Sequence, residues 1–220
     1  MNANIYGAVE QERAAMVEFA RELIVIPSEN PPGKHYGDVV EVLSRQLKQL
    51  GFESQVHGDC LLSFLGDGDG RVLYFSGHYD VVPAQDTTQF NAVLKGANLF
   101  GRGSSDMKGG LAAMMYAAKA VRDSNRKLKG QLGLVFVPDE ETAGPRGSKF
   151  LEEKGMLGRN GIGMLTPEPT GGVVWNANRG AITLKITVDG KSAHVGRQFE
   201  GVNAFERMMN LVQKLGVLKR

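Results

Sequence analysis

Several things are missing from this 220-residue sequence, and each absence narrows what it can be. There is one cysteine, Cys60, so no internal disulfide can form and a stapled secreted scaffold is excluded. Followed by Leu61 and Leu62, that thiol reads as a small buried hydrophobe rather than a nucleophile. No apolar run approaches the roughly 18 residues that mark a membrane-spanning helix. The 26 basic and 24 acidic residues nearly cancel, to a formal +2, and no large basic block stands out. The electrostatic case for a nucleic-acid partner is therefore missing. The opening stretch, MNANIYGAVEQERAAM, lacks the basic-then-apolar pattern of a signal peptide, and a soluble cytoplasmic protein is the expectation. HExxH, GxxxxGK[ST] and GxSxG are all absent. GRGSSD, at 101–106, begins like a dinucleotide loop, but Asp106 stands where the third glycine belongs and no clear strand precedes it.

What is present is a globular composition, 42% hydrophobic and 23% charged, with 29 glycines suited to tight loops. Apolar spacing predicts helices over 8–25, 37–50 and 107–122, the last apolar nearly all round. IPSENPPG breaks the first helix and Gly51 stops the second. Strands are predicted over 60–65 and 71–76, joined by a GDGDG turn, and over 131–137 and 161–165, with a short helix over 147–154. This alternation indicates an α/β layer fold with a mostly parallel sheet flanked by helices. After about residue 176 the pattern changes. AITLKITV, 181–188, alternates like a strand with one wet face, and a helix is expected at about 202–215 to pack on it. Domains of 1–176 and 177–220 follow. One strand and one helix cannot bury their apolar faces alone, so the end at Arg220 reads as an interruption.

The chemistry collects at strand ends. The 71–76 strand runs into His78-Tyr79-Asp80, the 131–137 strand into Pro138-Asp139-Glu140-Glu141, and the 161–165 strand into Thr166-Pro167-Glu168. Asp106 lies in the loop before the buried helix. In open α/β sheets the carboxyl ends of the strands line the ligand crevice. If the backbone stays extended, His78 and Asp80 point to one side, so an imidazole can bind a metal while the carboxylate holds its second ring N–H. Each element also has a plain reading: a polar turn for His78 and Asp80, a solvated acidic loop for Glu140 and Glu141, a turn carboxylate for Glu168, a helix N-cap for Asp106. Four such groups at strand ends or helix entries make coincidence the weaker account. One histidine with several carboxylates and no cysteine suits a hydrolytic zinc, cobalt or manganese site, and three or more acids suggest two metals. His35 and His57 sit in polar loops and read as surface residues. His194, in GKSAHVGRQFEGVNAF, reads the same way from its local sequence. Asn203 either contacts substrate or opens the last helix.

The pieces PSENPPG (27–33), SGHYDVVPA (76–84), LFGRGSSDMKGGLAAM (99–114), VPDEETAGPRGS (137–148), PEPT (167–170) and RGAITLKITVDGKSAHVGRQFEGVNAFE (179–206) stand in one order across nearly the whole chain. In these the sequence resembles the N-terminal part of the co-catalytic zinc amidohydrolases. That family includes aminoacylase, acetylornithine deacetylase, succinyl-diaminopimelate desuccinylase and glutamate carboxypeptidase. The resemblance implies a zinc-exopeptidase-like catalytic domain and the start of an inserted α+β ferredoxin-like lid. It implies two divalent metal ions, with zinc favoured over cobalt or manganese. His78 and Glu168 would bind the first metal, Glu141 the second, and Asp106 both. Asp80 would orient His78, and Glu140 would act as general base and then acid. His194 would stabilise the oxyanion in a partner subunit, with the lid forming a homodimer of the full-length protein. A cis peptide is implied at Asp106-Met107. Gln198 departs from the proline usual in the lid motif. A further metal-binding histidine, the rest of the lid and the last part of the catalytic domain are not in these 220 residues, so this piece is expected to be a fragment, poorly active alone. The activity implied is hydrolysis of the amide bond of N-acyl amino acids or small peptides. A non-catalytic relative that binds an amino-acid-like ligand or a partner, and a dinuclear hydrolase for another bond, are the alternatives.

Overall fold

The computed structural model describes residues 5–66, 70–124, 126–158, 160–177, 180 and 182–216. The middle of the GDGDG turn, 67–69, and Ala181 lie outside the described residues. The chain forms two compact units, divided after Val173.

The first unit is built on a five-stranded sheet. Its strands are β1 (Gln55–His57), β2 (Cys60–Leu65), β3 (Val72–His78), β6 (Gln131–Val137) and β7 (Gly161–Leu165), in the order β1-β2-β6-β3-β7. The sheet is mixed: β6, β3 and β7 run parallel, while β2 is antiparallel to β6 and β1 to β2. Alternation along the strands sends side chains to both faces, and both are covered. Leu61, Leu132, Leu134 and Phe136 join the core beneath α2 (Arg13–Ile24), α3 (Tyr36–Gln49) and α4 (Lys108–Asp123). Cys60, Leu62, Val72, Tyr74, Val135 and Val137 pack with Leu151 of α5 (Ser148–Glu153). Burial pushes the Cys60 thiol up to about 12, which keeps it protonated.

The first predicted helix is two helices, α1 (Ile5–Gln11) and α2, interrupted at Glu12. A short hairpin, β4 (Val93–Lys95) with β5 (Asn98–Phe100), precedes GRGSSD where no strand is expected. β7 forms as expected but carries exposed side chains along its whole length. No helix among the described residues is long and apolar enough to cross a membrane.

The second unit differs from its expectation. Residues 182–190 have no strand partner among the described residues, and Ile182 and Leu184 are 87% and 76% exposed. A bridge between Lys191 and Val202 closes a loop that holds a 3-10 helix, Val195–Glu200. The last helix, α6 (Ala204–Leu215), is present, but none of its residues is buried. Asn203 opens it, its Oδ1 accepting from Phe205 N at 3.0 Å and Glu206 N at 3.4 Å.

Candidate metal centre

Register brings the acidic residues together. His78 pairs with Val137 across β3 and β6, and Phe75 pairs with Leu165 across β3 and β7. Three residues beyond Phe75 is His78, three beyond Val137 is Glu140, and three beyond Leu165 is Glu168. Three parallel strands thus deliver three polar groups beyond one edge of the sheet. Asp106 joins them from the entry to α4. Two glycines allow that approach. A Cβ on Gly77 of β3 would lie 2.5 Å from Leu111 Cδ2, and one on Gly110 of α4 would lie 2.6 Å from Pro167 O.

The imidazole of His78 is buried. Its Nε2 lies 3.1 Å from Asp106 Oδ1, 3.5 Å from Glu168 Oε1 and 3.7 Å from Glu140 Oε2. One ligand atom from each of His78, Asp106 and Glu168 falls within 4.8 Å of the others. On the far side of the ring Nδ1 is 3.0 Å from the main-chain oxygen of Asp80 and 3.3 Å from its carboxylate. The nearer partner is therefore the Asp80 carbonyl, where the carboxylate was expected. The main chain of His78 donates to Met107 Sδ at 3.3 Å. Asp106 does not cap α4, whose N-cap is Met107 with no side-chain bond. The Asp106-Met107 peptide is cis.

Asp80 is fully buried and accepts from both sides of the acidic loop, from Glu140 N at 3.3 Å and Glu141 N at 3.2 Å. Burial pushes its carboxyl up, but bonds from His78, Asn30 and Glu141 N outweigh that and hold it below the usual range. For Glu168, burial and then the charges of Asp106 and Glu140 win over His78 and push the carboxyl up to about 7. Glu141 rises in the same direction, from burial first and the nearby Asp106 next. Burial draws His78 down, but Asp80, Glu168 and Glu140 together lift it to about 9. Crowded carboxylates around one imidazole demand a positive charge. The imidazole-carboxylate donor set of His78, Asp106 and Glu168 fits a divalent cation such as zinc, cobalt or manganese.

Lys108 is a further buried charge, its Nζ donating to Leu23 O at 2.9 Å and Ile26 O at 2.6 Å at the C-terminal end of α2. Burial pushes its ammonium down to about 7. His194 belongs to the second unit, where it is exposed and its Nδ1 accepts from Gly196 N at 3.2 Å. Four residues with buried or bridging roles were not singled out from the sequence: Asn30, Tyr36, Asp139 and Met107. The legible signal was PSENPPG for Asn30 and adjacency to Glu140 for Asp139.

Comparison with known proteins gives this geometry its setting. Residues 74–205 match Peptidase family M20/M25/M40, and the chain belongs to that family. It is 33% identical over 218 residues to a succinyl-diaminopimelate desuccinylase of Buchnera aphidicola subsp. Acyrthosiphon pisum (strain Tuc7), covering 93% of this chain and 57% of that one. The chain thus spans little more than half the length of that relative. In fold it is similar to human carnosine dipeptidase 1, with a TM-score of 0.63, 20% identity, and 76% of this chain and 41% of that chain covered. It is also similar to Bacillus subtilis YXEP, a dinuclear metal binding peptidase from the M20 family, with a TM-score of 0.56, 18% identity, and 71% and 43% covered.

Proposed function

We propose that the full-length protein hydrolyses the amide bond of N-acyl amino acids or small peptides, of the deacetylase, desuccinylase or carboxypeptidase type, with two divalent metal ions held at the edge of the sheet. The observation that carries this reading is the convergence of His78, Asp106 and Glu168 within 4.8 Å, with Glu140 beside them. In this reading His78 and Glu168 would hold one ion, Glu141 the other, and Asp106 would serve both. Zinc is the first choice, with cobalt or manganese as substitutes. When bound, the ions supply Lewis acidity, making water more acidic and drawing electrons from the amide carbonyl.

The protein residues do the rest. Glu140, with its side chain 57% exposed, is free to take a proton from the attacking water and return it to the departing amine. Asp80 fixes the tautomer and aim of His78 through the Nδ1 side. His194 is assigned the oxyanion by family resemblance alone, together with dimerisation through a lid that begins in 177–220. The resemblance also assigns the second metal a ligand outside these residues, so the 220-residue stretch alone is expected to turn over poorly. In the full-length protein, Glu140→Gln should lower turnover at least about 100-fold while zinc content, measured by atomic absorption, stays near that of the parent. Loss of zinc in step with activity would contradict the general-base role.

A further inference from the structure

The PSENPPG stretch is assigned no metal ligand, yet it bonds directly to Asp80 beside His78. Residues 28–30 lie alongside 79–81. Val81 N donates to Ser28 O at 3.0 Å, Asn30 N donates to Val81 O at 2.8 Å, and Ser28 Oγ donates to Tyr79 O at 2.6 Å. This lattice fixes the Asn30 side chain, which is 5% exposed. Its Nδ2 lies 2.8 Å from Asp80 Oδ2, 3.0 Å from Thr142 Oγ1 and 3.5 Å from Asp139 Oδ1. An amide nitrogen has two hydrogens. The short distances assign them to Asp80 and Thr142, with Asp139 at the margin. Asp80 is the same carboxylate that accepts from Glu140 N and Glu141 N. Asp139 is held in turn by Tyr36 Oη at 2.9 Å and Arg146 N at 3.1 Å.

We propose that Asn30 is a positioning residue, a single amide that ties Asp80 to the far end of the Glu140-Glu141-Thr142 run and so fixes where the Glu140 and Glu141 side chains start. The proposal rests on the amidohydrolase reading of the site. A buried donor between two carboxylates and a hydroxyl has no apolar substitute, because removing it takes away one of the two bonds to the buried Asp80 Oδ2 and leaves only Glu141 N. The role needs Asn30 only as a donor. Asn30→Asp keeps the shape and reverses the polarity, while Thr142→Val removes one of the two acceptors from an exposed position and leaves the core untouched.

The experiment uses the full-length protein, with zinc affinity by calorimetry, kcat and KM on an N-succinyl amino acid, and Tm. Partners behind a metal site typically cost ~10–100-fold in affinity or activity when lost. Asn30→Asp is therefore expected to lower kcat or zinc affinity by about 100-fold, and Thr142→Val by about 10-fold, with KM nearly unchanged in both. A merely structural Asn30 would lower Tm but leave kcat per folded molecule and zinc affinity at the parent's values, and that result in Asn30→Asp overturns the proposal. Should Asn30→Asp not fold, parental kcat and zinc affinity in Thr142→Val overturn it instead. A parent that binds zinc and hydrolyses substrate, with variants that do not differ from it, sinks the role of Asn30 alone. A parent that does neither sinks the reading of the site and this proposal with it.

Discussion

Strand β2, CLLSFL, and residues 182–188, ITLKITV, both read as strands in the sequence, and they end in opposite conditions. Cys60, Leu61 and Leu62 are buried, because β2 has β1 on one side and β6 on the other and helices against both faces. Ile182, Leu184 and Ile186 are exposed, and no ladder forms along them among the described residues. An alternating pattern states which face a strand can bury. The hydrogen-bonded neighbours and the opposing layer come from elsewhere in the fold, and a single strand with one helix cannot supply them. The same contrast holds for the helices. α4 buries Leu111, Met115 and Ala118 completely, whereas α6, the more amphipathic of the two in sequence, buries nothing.

The contrast can be tested directly by truncation. Leu111→Ala should cost about 2–5 kcal/mol in urea unfolding, while Leu184→Ala should stay within about 0.5 kcal/mol. Equal costs would mean that the second unit is packed after all. A smaller effect is expected at the rim of the first core, where Tyr36 Oη donates to Asp139 and the Arg146 guanidinium lies 4.6 Å from the ring centroid. Burial, then the bond to Asp139, raises the Tyr36 phenol above its ordinary 10.0. A group raised in the folded state contributes fully below its unfolded value and loses that contribution as pH climbs past it. Tyr36→Phe should therefore cost about 1–2 kcal/mol at neutral pH and show a shallower fall in urea midpoint between about pH 9 and 11 than the parent. An identical alkaline slope in both proteins would remove Tyr36 from the account. The smallest effect belongs to the second unit. Asn203→Ala removes the cap of α6 and should reduce its helicity by about 1 kcal/mol in circular dichroism melts, leaving the first unit's transition in place. A joint shift of both transitions would show that the two units unfold as one.

Much of the candidate site could be read before any fold was known. His78, Asp106, Glu140, Glu141 and Glu168 were legible because they interrupt apolar strands or open a buried helix, where a polar residue needs a reason. Asn30 was not, because its role depends on residues 28–30 lying beside 79–81, across about 50 positions of chain. Tyr36 and Met107 were hidden for a related reason. An aromatic or a methionine at a helix start looks like core until its hydroxyl or sulfur is seen to meet Asp139 or His78 N. The first helix reads as continuous because periodicity survives a local break at Glu12, which side-chain spacing does not register.

The sequence by itself determined the α/β class, the collection of candidate ligands at strand ends and the family, since these rest on periodicity, residue chemistry and motif order. The tertiary structure decided the mixed sheet, the main-chain partner of His78 and the suspension of the acidic loop from Asp80. It also decided that the alternating 182–188 stretch is left without a ladder. All four depend on which distant segments become neighbours, and hydrogen-bond partners across a fold are a property of register and packing that local pattern does not encode.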